Sequence, residues 1–207
     1  NGVFLKFEDR TNLDLDSSPN AHTMTTVGTV TPTYDNPSNN FCTWTPLFKK
    51  TGVTYTFSNG NLVVDSTGGS GWHQVMGTLG ATAGKWYYEG YINYTPGAYN
   101  TQLGWGSSAY LAQSKSELGI GGGIDKPSFG LYDVGTLRYS TESSNEQSTG
   151  SWAASWTTGD YVMMAVDLDN GRFYVGKNGT WDATSSSNPA AGTGGYSFTV
   201  GDHIYIP

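Results

Sequence analysis

Along most of the chain, apolar and aromatic residues alternate with polar ones over runs of four to eight residues, each bounded by Gly, Asn, Asp, Ser or Pro. A period of two marks half-buried β-strands. Nowhere do apolar residues recur at i, i+3, i+4 and i+7 over a dozen residues, and only 110–118 leaves room for a helical turn. The strongest pair of strands is predicted within 158–180, T-G-D-Y-V-M-M-A-V-D-L-D-N-G-R-F-Y-V-G-K-N-G-T. Residues 161–168 and 172–175 are rich in aromatic and β-branched side chains, and Asp169-Asn170-Gly171 separates them. Asn-Gly in that setting predicts a type I′ hairpin, because both central residues of that turn need φ > 0. Lys177-Asn178-Gly179 turns the chain again, and Asn59-Gly60 predicts a second hairpin between 53–58 and 62–65.

Further strands are predicted at 3–7, 41–47, 72–78, 85–93, 102–106, 128–133, 136–140, 196–200 and 203–206, with 23–33 extended. The stretches 143–151 and 183–195 read as loops, the first being the most polar in the chain. Short strands with a turn every ~8–12 residues predict an all-β fold, a two-sheet antiparallel β-sandwich. Alternation assigns Trp86, Tyr88, Val162, Met164, Val166, Phe173 and Val175 to its interior, and Trp44 and Trp105 join them as core tryptophans.

Composition narrows the organisation. The 207 residues suffice for one well-buried domain, or one with an arm. Residues 1–48 hold short apolar pieces between turn-rich polar stretches, too little for a core, so they are expected to form an extended arm ahead of a sandwich at 49–207. Only 13% of residues are charged, while Gly (29) and Tyr (14) are plentiful, which suits β-structure with many turns. The net charge of −7, with no basic cluster beyond Lys49-Lys50, argues against nucleic acid as a partner. No apolar run approaches the ~20 residues of a membrane-spanning helix, so no membrane insertion is expected. A single cysteine, Cys42, rules out an intramolecular disulfide framework. The chain opens at Asn1 without a signal-like segment, and is expected to be a fragment, a processed product or the ordered part of something longer.

Four segments, in order, carry a family resemblance: T-A-G-K-W-Y-Y-E at 82–89, L-G-W-G at 103–106, F-G-L-Y at 129–132, and the hairpin with its G-D-x-V, D-x-D-x-G and K-N-G signatures. Together they resemble the SPRY domain over about 54–207, which implies a concanavalin A-like jelly-roll sandwich. The N-terminal part holds F-L-K-F-E-D-R-T-N-L-D-L-D-S-S-P-N-A-H-T (4–23), D-N-P-S-N-N-F-C-T-W-T-P-L (35–47) and F-S-N-G-N-L (57–62). It resembles bacteriophage and marine-virus structural proteins, in which such an arm precedes a SPRY-like domain. That resemblance implies a non-enzymatic virion component, extracellular on the particle: a tail fibre, head fibre or capsid-surface protein. It would pack with other virion subunits as a homo-oligomer, or bind a host-surface glycan or protein. Relatives of this kind continue past Y-I-P with one or two more strands, so the last strand is expected to be missing or supplied from outside.

Candidate chemistry is sparse. Glycosidases need two carboxylates across a cleft, and the one comparable pair, Asp167 and Asp169, sits at a hairpin end, where a structural role is expected. The same D-L-D-N-G fails the EF-hand pattern: Arg172 stands where that loop needs glycine, and Asn178 where it needs glutamate. A different calcium site would need Asp160 or Asp182. Gly104-Trp105-Gly106 mimics a dinucleotide fingerprint without its strand-then-helix context. His22, His73 and His203 lack ligand spacing, and Cys42 has no evident base, so no metal, cofactor or catalytic residue is expected. Asn93-Tyr94-Thr95 and Asn178-Gly179-Thr180 match glycosylation sequons, the second equally well explained as a turn. Binding is the stronger prospect. Tyr94, Tyr99, Tyr110, Tyr139, Trp152 and Trp156 fall in or beside loops, where rings either stack on sugars and anchor protein partners or plug the ends of the sandwich. Three functions follow: the virion adhesion or assembly protein, a carbohydrate-binding module or glycan-degrading enzyme of a secreted protein sharing the architecture, and, fitting the phage-like arm less well, an intracellular SPRY adaptor that docks a peptide.

Overall fold

The computed structural model describes residues 2–49, 52–68, 73–93, 101–111, 127–141, 144–151 and 155–207. They fall into two compact units, Asn1–Leu79 and Gly80–Pro207, a division downstream of the arm boundary expected near residue 48.

In the first unit, β1 (Trp44–Lys49) pairs antiparallel with β4 (Val75–Gly77), and β2 (Thr54–Ser58) pairs with β3 (Val63–Thr67). The β2–β3 connection is the hairpin predicted at Asn59-Gly60, and both residues have positive φ. The stretch 3–7 does not form the predicted strand, and 23–33, expected to be extended, joins no ladder; they contribute only isolated bridges, Leu5 to Asp16 and Leu15 to Thr23. The backbone at Phe4 and around 18–22 is held instead by a side chain. The Asp16 carboxylate accepts bonds from the Phe4, Ser18 and His22 amides at 2.8–3.0 Å and from the Ser18 hydroxyl at 2.9 Å. The Phe4 amide does most to hold the Asp16 carboxyl well below its ordinary pKa, against the opposing effect of desolvation. Short polar side chains of this kind offer the backbone an alternative to a ladder, and here they win.

The second unit contains the sandwich. Its first sheet holds β5 (Lys85–Tyr91), β10 (Tyr161–Asp167), β11 (Arg172–Lys177) and β12 (Thr180–Trp181) in the order β12-β11-β10-β5, with β13 (Tyr196–Ser197) also on β11. The second sheet runs β14-β6-β7-β8-β9, from β6 (Gln102–Ser107), β7 (Ser128–Tyr132), β8 (Thr136–Thr141), β9 (Ser144–Ser151) and β14 (Tyr205–Ile206). The one helical turn among the described residues, α1 (Ser108–Leu111), follows β6. β9 corrects the expectation of a polar loop at 143–151. A ladder needs only backbone groups, and on the outermost strand of the sheet among the described residues polar side chains do not oppose it.

The inner faces meet along aromatic contacts. Phe129 of β7 stacks on Phe173 of β11, and Tyr88 of β5 meets Trp105 of β6 edge-on at 5.5 Å while donating its hydroxyl to the Gly104 carbonyl at 2.8 Å. Val162, Met164, Val166, Phe173 and Val175 are buried as alternation predicts. Trp86 is not: it lies opposite Val166 but remains 46% exposed. It sits near the start of β5, the outermost strand of its sheet among the described residues, and its indole N–H turns back to the Ala83 carbonyl at 2.7 Å. Trp44 is only half-buried, whereas Trp105 is core.

The central hairpin differs from its predicted turn. Asp167 and Arg172 are the last paired residues, so four residues connect the strands, and of Asn170 and Gly171 only Gly171 has positive φ. Asp167 closes this loop by accepting the Asn170 amide at 3.1 Å and its side-chain amide at 2.9 Å, while the Leu168 amide donates to Gly84. A two-residue turn with both central φ positive occurs one connection later, at Asn178-Gly179 between Lys177 and Thr180.

Candidate functional site

The period of two that fills the interior also sorts the outer face of the first sheet. Opposite pairs place Lys85 by Asp167, Tyr87 by Ala165, Glu89 by Met163 and Tyr91 by Tyr161, all on that outer face. β11 continues the rows with Tyr174 beside Ala165, and β12 adds Trp181 beside Gly176. Tyr87 and Trp181 meet edge-to-face at 5.9 Å, and Tyr91 lies 4.9 Å from Tyr161. Tyr87, Tyr91 and Tyr161 are each about half exposed, so this face carries an aromatic surface that the core does not use.

Residues 182–195 wall one side of it. Asp182, itself buried, accepts the amides of Thr184 and Ser185 and the hydroxyls of Ser185 and Tyr196 at 2.9–3.2 Å. Asn188 and Thr193 exchange backbone bonds, the Asn188 side chain caps the Ala191 amide, and Arg172 donates to the Gly194 carbonyl at 2.6 Å. A loop bonded to itself in this way is a fixed wall rather than a flexible strap. Between it and β5 lies a groove of about 370 Å³, with Lys85, Tyr87, Ala165, Tyr174, Trp181 and Pro189 around it. That volume is at the low end of the ~300–1,000 Å³ typical of small-ligand sites.

The groove's polar groups are few and unequal. Lys85 Nζ lies 3.5 Å from the Asp167 carboxylate, with the lysine about half exposed and the aspartate buried. Burial alone would raise the Asp167 carboxyl, but the Asn170 hydrogen bonds and the Lys85 charge hold it below its ordinary value. Tyr174 is 1% exposed, and its hydroxyl has no hydrogen-bond partner among the described residues. Desolvation pushes its pKa up, the Asp167 charge adds to that, and the charges of Arg172 and Lys85 oppose it more weakly, so it is a neutral donor and acceptor. Tyr87 donates to Glu89, and burial followed by that contact raises its pKa as well.

The other carboxylates singled out in the sequence are committed to structure. Asp169 accepts the Gly84 amide at 2.7 Å, and Asp160 takes Asn178, the Thr157 amide and Lys177. The Asn178 hydrogen bond is the main cause of the lowered Asp160 pKa. Among the described residues, no group of three or more His, Cys, Asp or Glu side chains is placed to hold a metal ion.

Of the six loop aromatics, Tyr110 is fully buried on α1 and Trp156 is 2% exposed, so neither leaves a ring face open to a ligand. Tyr139 is half-buried and packs edge-on to Phe173 at 5.7 Å. Tyr94, Tyr99 and Trp152 lie outside the described residues. The groove thus consists of residues that sequence reasoning assigned no binding role. The signal that points to them is the second row of β5, Lys85-x-Tyr87-x-Glu89-x-Tyr91, which puts rings on the face opposite the core.

No protein-family model matches the chain, and no curated protein is similar to it in sequence. Among solved structures, the SPRY domain of human HERC1 superposes with a TM-score of 0.51 at 15% sequence identity, covering 79% of this chain and 86% of that one. The fold is a SPRY-like, concanavalin A-like β-sandwich. At that identity the likeness concerns architecture alone, and function has to be argued from the groove.

Proposed function

We propose that the chain is a non-enzymatic recognition protein that binds its ligand in the outer-face groove, as an adhesion or assembly component of a virion surface. The observation that carries the reading is the half-exposed rings of Tyr87, Tyr91 and Tyr161 on the outer face, beside a groove walled by 182–195. Exposed aromatics offer large contact area at small entropic cost. Hydrolysis is disfavoured because Asp167, the one carboxylate lining the groove among the described residues, is already bonded to Asn170 and Lys85. The virion setting, with a homo-oligomeric particle and a host-surface glycan or protein as receptor, is supported by the N-terminal motifs at 4–23 and 35–47.

The test is to screen the full chain against immobilised glycans and a displayed peptide library, with a reducing-sugar assay on every glycan. Saturable binding without turnover, lost on combining Tyr87→Ala with Trp181→Ala, is the expected result. Hydrolysis of any polysaccharide, binding that survives both substitutions, or no binding to either panel overturns the proposal.

A further inference from the structure

We infer that the outer edge of β5 is the surface through which two copies of this chain pair, strand against strand, about a twofold axis at Tyr87. The pairing does not depend on a ligand in the groove.

The backbone sets the first condition. The Ile92 amide donates to the Asp160 carbonyl at 3.0 Å, and the Leu168 amide donates to the Gly84 carbonyl at 2.9 Å. Between these anchors β5 pairs with β10 in unbroken register, from Lys85 opposite Asp167 to Tyr91 opposite Tyr161. Hydrogen-bonding direction alternates along a strand, so Trp86, Tyr88 and Gly90 also bond toward β10. Lys85, Tyr87, Glu89 and Tyr91 therefore point their N–H and C=O groups the other way, where no strand lies among the described residues. Such a row is a template for another strand. β5 is seven residues long, with neither the proline nor the bulge that would blunt it.

The side chains say which strand. Trp86 belongs to the inner row yet is 46% exposed, so the interior is uncovered at this edge. Glu89 lies opposite Met163 in its own sheet and forms no ion pair among the described residues. When β5 pairs antiparallel with β5 of a second copy, Lys85 and Glu89 stand opposite one another only if the centre lies midway between them, at Tyr87. That register forms both ion pairs at once, by symmetry. Centring on Lys85 or on Glu89 sets like charges against each other, and centring on Tyr88 sets each charge against a tyrosine. The Tyr87 register also places Trp86 against Tyr88 of the second copy, which covers the exposed indole. An unrelated strand would satisfy the backbone, but it would need both charges at this spacing; a second copy carries them already.

One edge of this length is a small contact, and each copy carries a net charge of −7, so the dimer is weak, with a Kd on the order of 100 µM. Residues of one parity share a face, so the pairing continues the first sheet across both copies and turns their outer-face grooves to the same side. Two grooves so joined would hold a repeated ligand by avidity.

The experiment is sedimentation velocity on the full chain from about 1 µM to about 1 mM. The expected result is a passage from monomer to dimer within that range. Glu89→Lys and Lys85→Glu should each weaken it about tenfold or more, because like charges then oppose at both positions. Mixing the two variants restores opposite charges, so the mixture should dimerise as the parent does. Register is read separately in a Cys42→Ser background. Opposed residues of a hydrogen-bonded pair lie ~5.5 Å apart at Cα, within disulfide reach. Tyr87→Cys should therefore cross-link two copies under mild oxidation, and Tyr91→Cys should not. This arm decides the matter if Lys85→Glu, opposite Asp167, fails to fold. A monomer at every concentration overturns the inference. So does a dimer that Glu89→Lys leaves intact, or a Tyr91→Cys cross-link as fast as that of Tyr87→Cys. Each of these outcomes leaves ligand binding in the groove, and its own test, untouched.

Discussion

Phe129 and Phe173 lie face to face across the sandwich, their ring centroids 4.2 Å apart and their planes within 8° of parallel. Both are fully buried, and Tyr139, Tyr196, Phe198 and Tyr205 gather around them, so this pair joins the two sheets at their most aromatic point. Phe129→Ala should destabilise the protein by about 3–5 kcal/mol, because the cavity adds to the lost burial. Urea denaturation should show the midpoint falling with little change in slope; a loss under ~1 kcal/mol would mean that the sheets are joined elsewhere.

Gly171 and Gly179 separate two reasons for glycine. Both have positive φ, at 60° and 80°. A Cβ at Gly171 would overlap the Phe198 carbonyl oxygen, whereas one at Gly179 would meet nothing within 4 Å. Gly179→Ala should therefore cost about 1 kcal/mol, the strain alone, and Gly171→Ala about 2 kcal/mol or more. Equal melting temperatures for the two variants would contradict this ordering.

Asp182 holds the groove wall through four accepted hydrogen bonds. Asp182→Ala leaves those donors in 184–196 without their acceptor and should cost about 2 kcal/mol. Limited proteolysis should show new cleavage within 183–195 while the rest of the second unit stays resistant. Unchanged cleavage would show that the Asn188–Thr193 and Arg172–Gly194 bonds suffice.

Acid should destabilise the protein through Asp160 and Asp167. Both pKa values are depressed below the ordinary 3.8 in the folded state. Their contribution is therefore complete above about pH 4 and is lost as pH falls through the folded values. The melting temperature should be level near neutrality and fall below about pH 4. Asp167→Asn should lower the neutral-pH value and make the acid limb shallower; an acid limb identical to the parent's would remove Asp167 from the account.

Local pattern settled the strands whose side chains face two different environments. Val162, Met164 and Val166 alternate against outward-facing neighbours, and that alternation alone predicts their burial and the all-β sandwich. It could not place Trp86, because a side chain on the inner row of an outermost strand is covered only if something lies across from it, and that depends on where the sheet ends. Nor could it see β9, whose polar residues pair through backbone groups that every sequence shares. The turn at 168–171 was decided by Asp167, whose carboxylate caps Asn170 in competition with the type I′ geometry that Asn-Gly favours. The groove lies furthest from local rules. Lys85, Tyr87, Tyr174 and Trp181 come from three strands, and only sheet register brings them to one face beside a loop whose wall is built by Asp182. Sequence determined which residues belong to strands and which faces are apolar; tertiary structure decided which faces stay open, because exposure depends on what packs opposite.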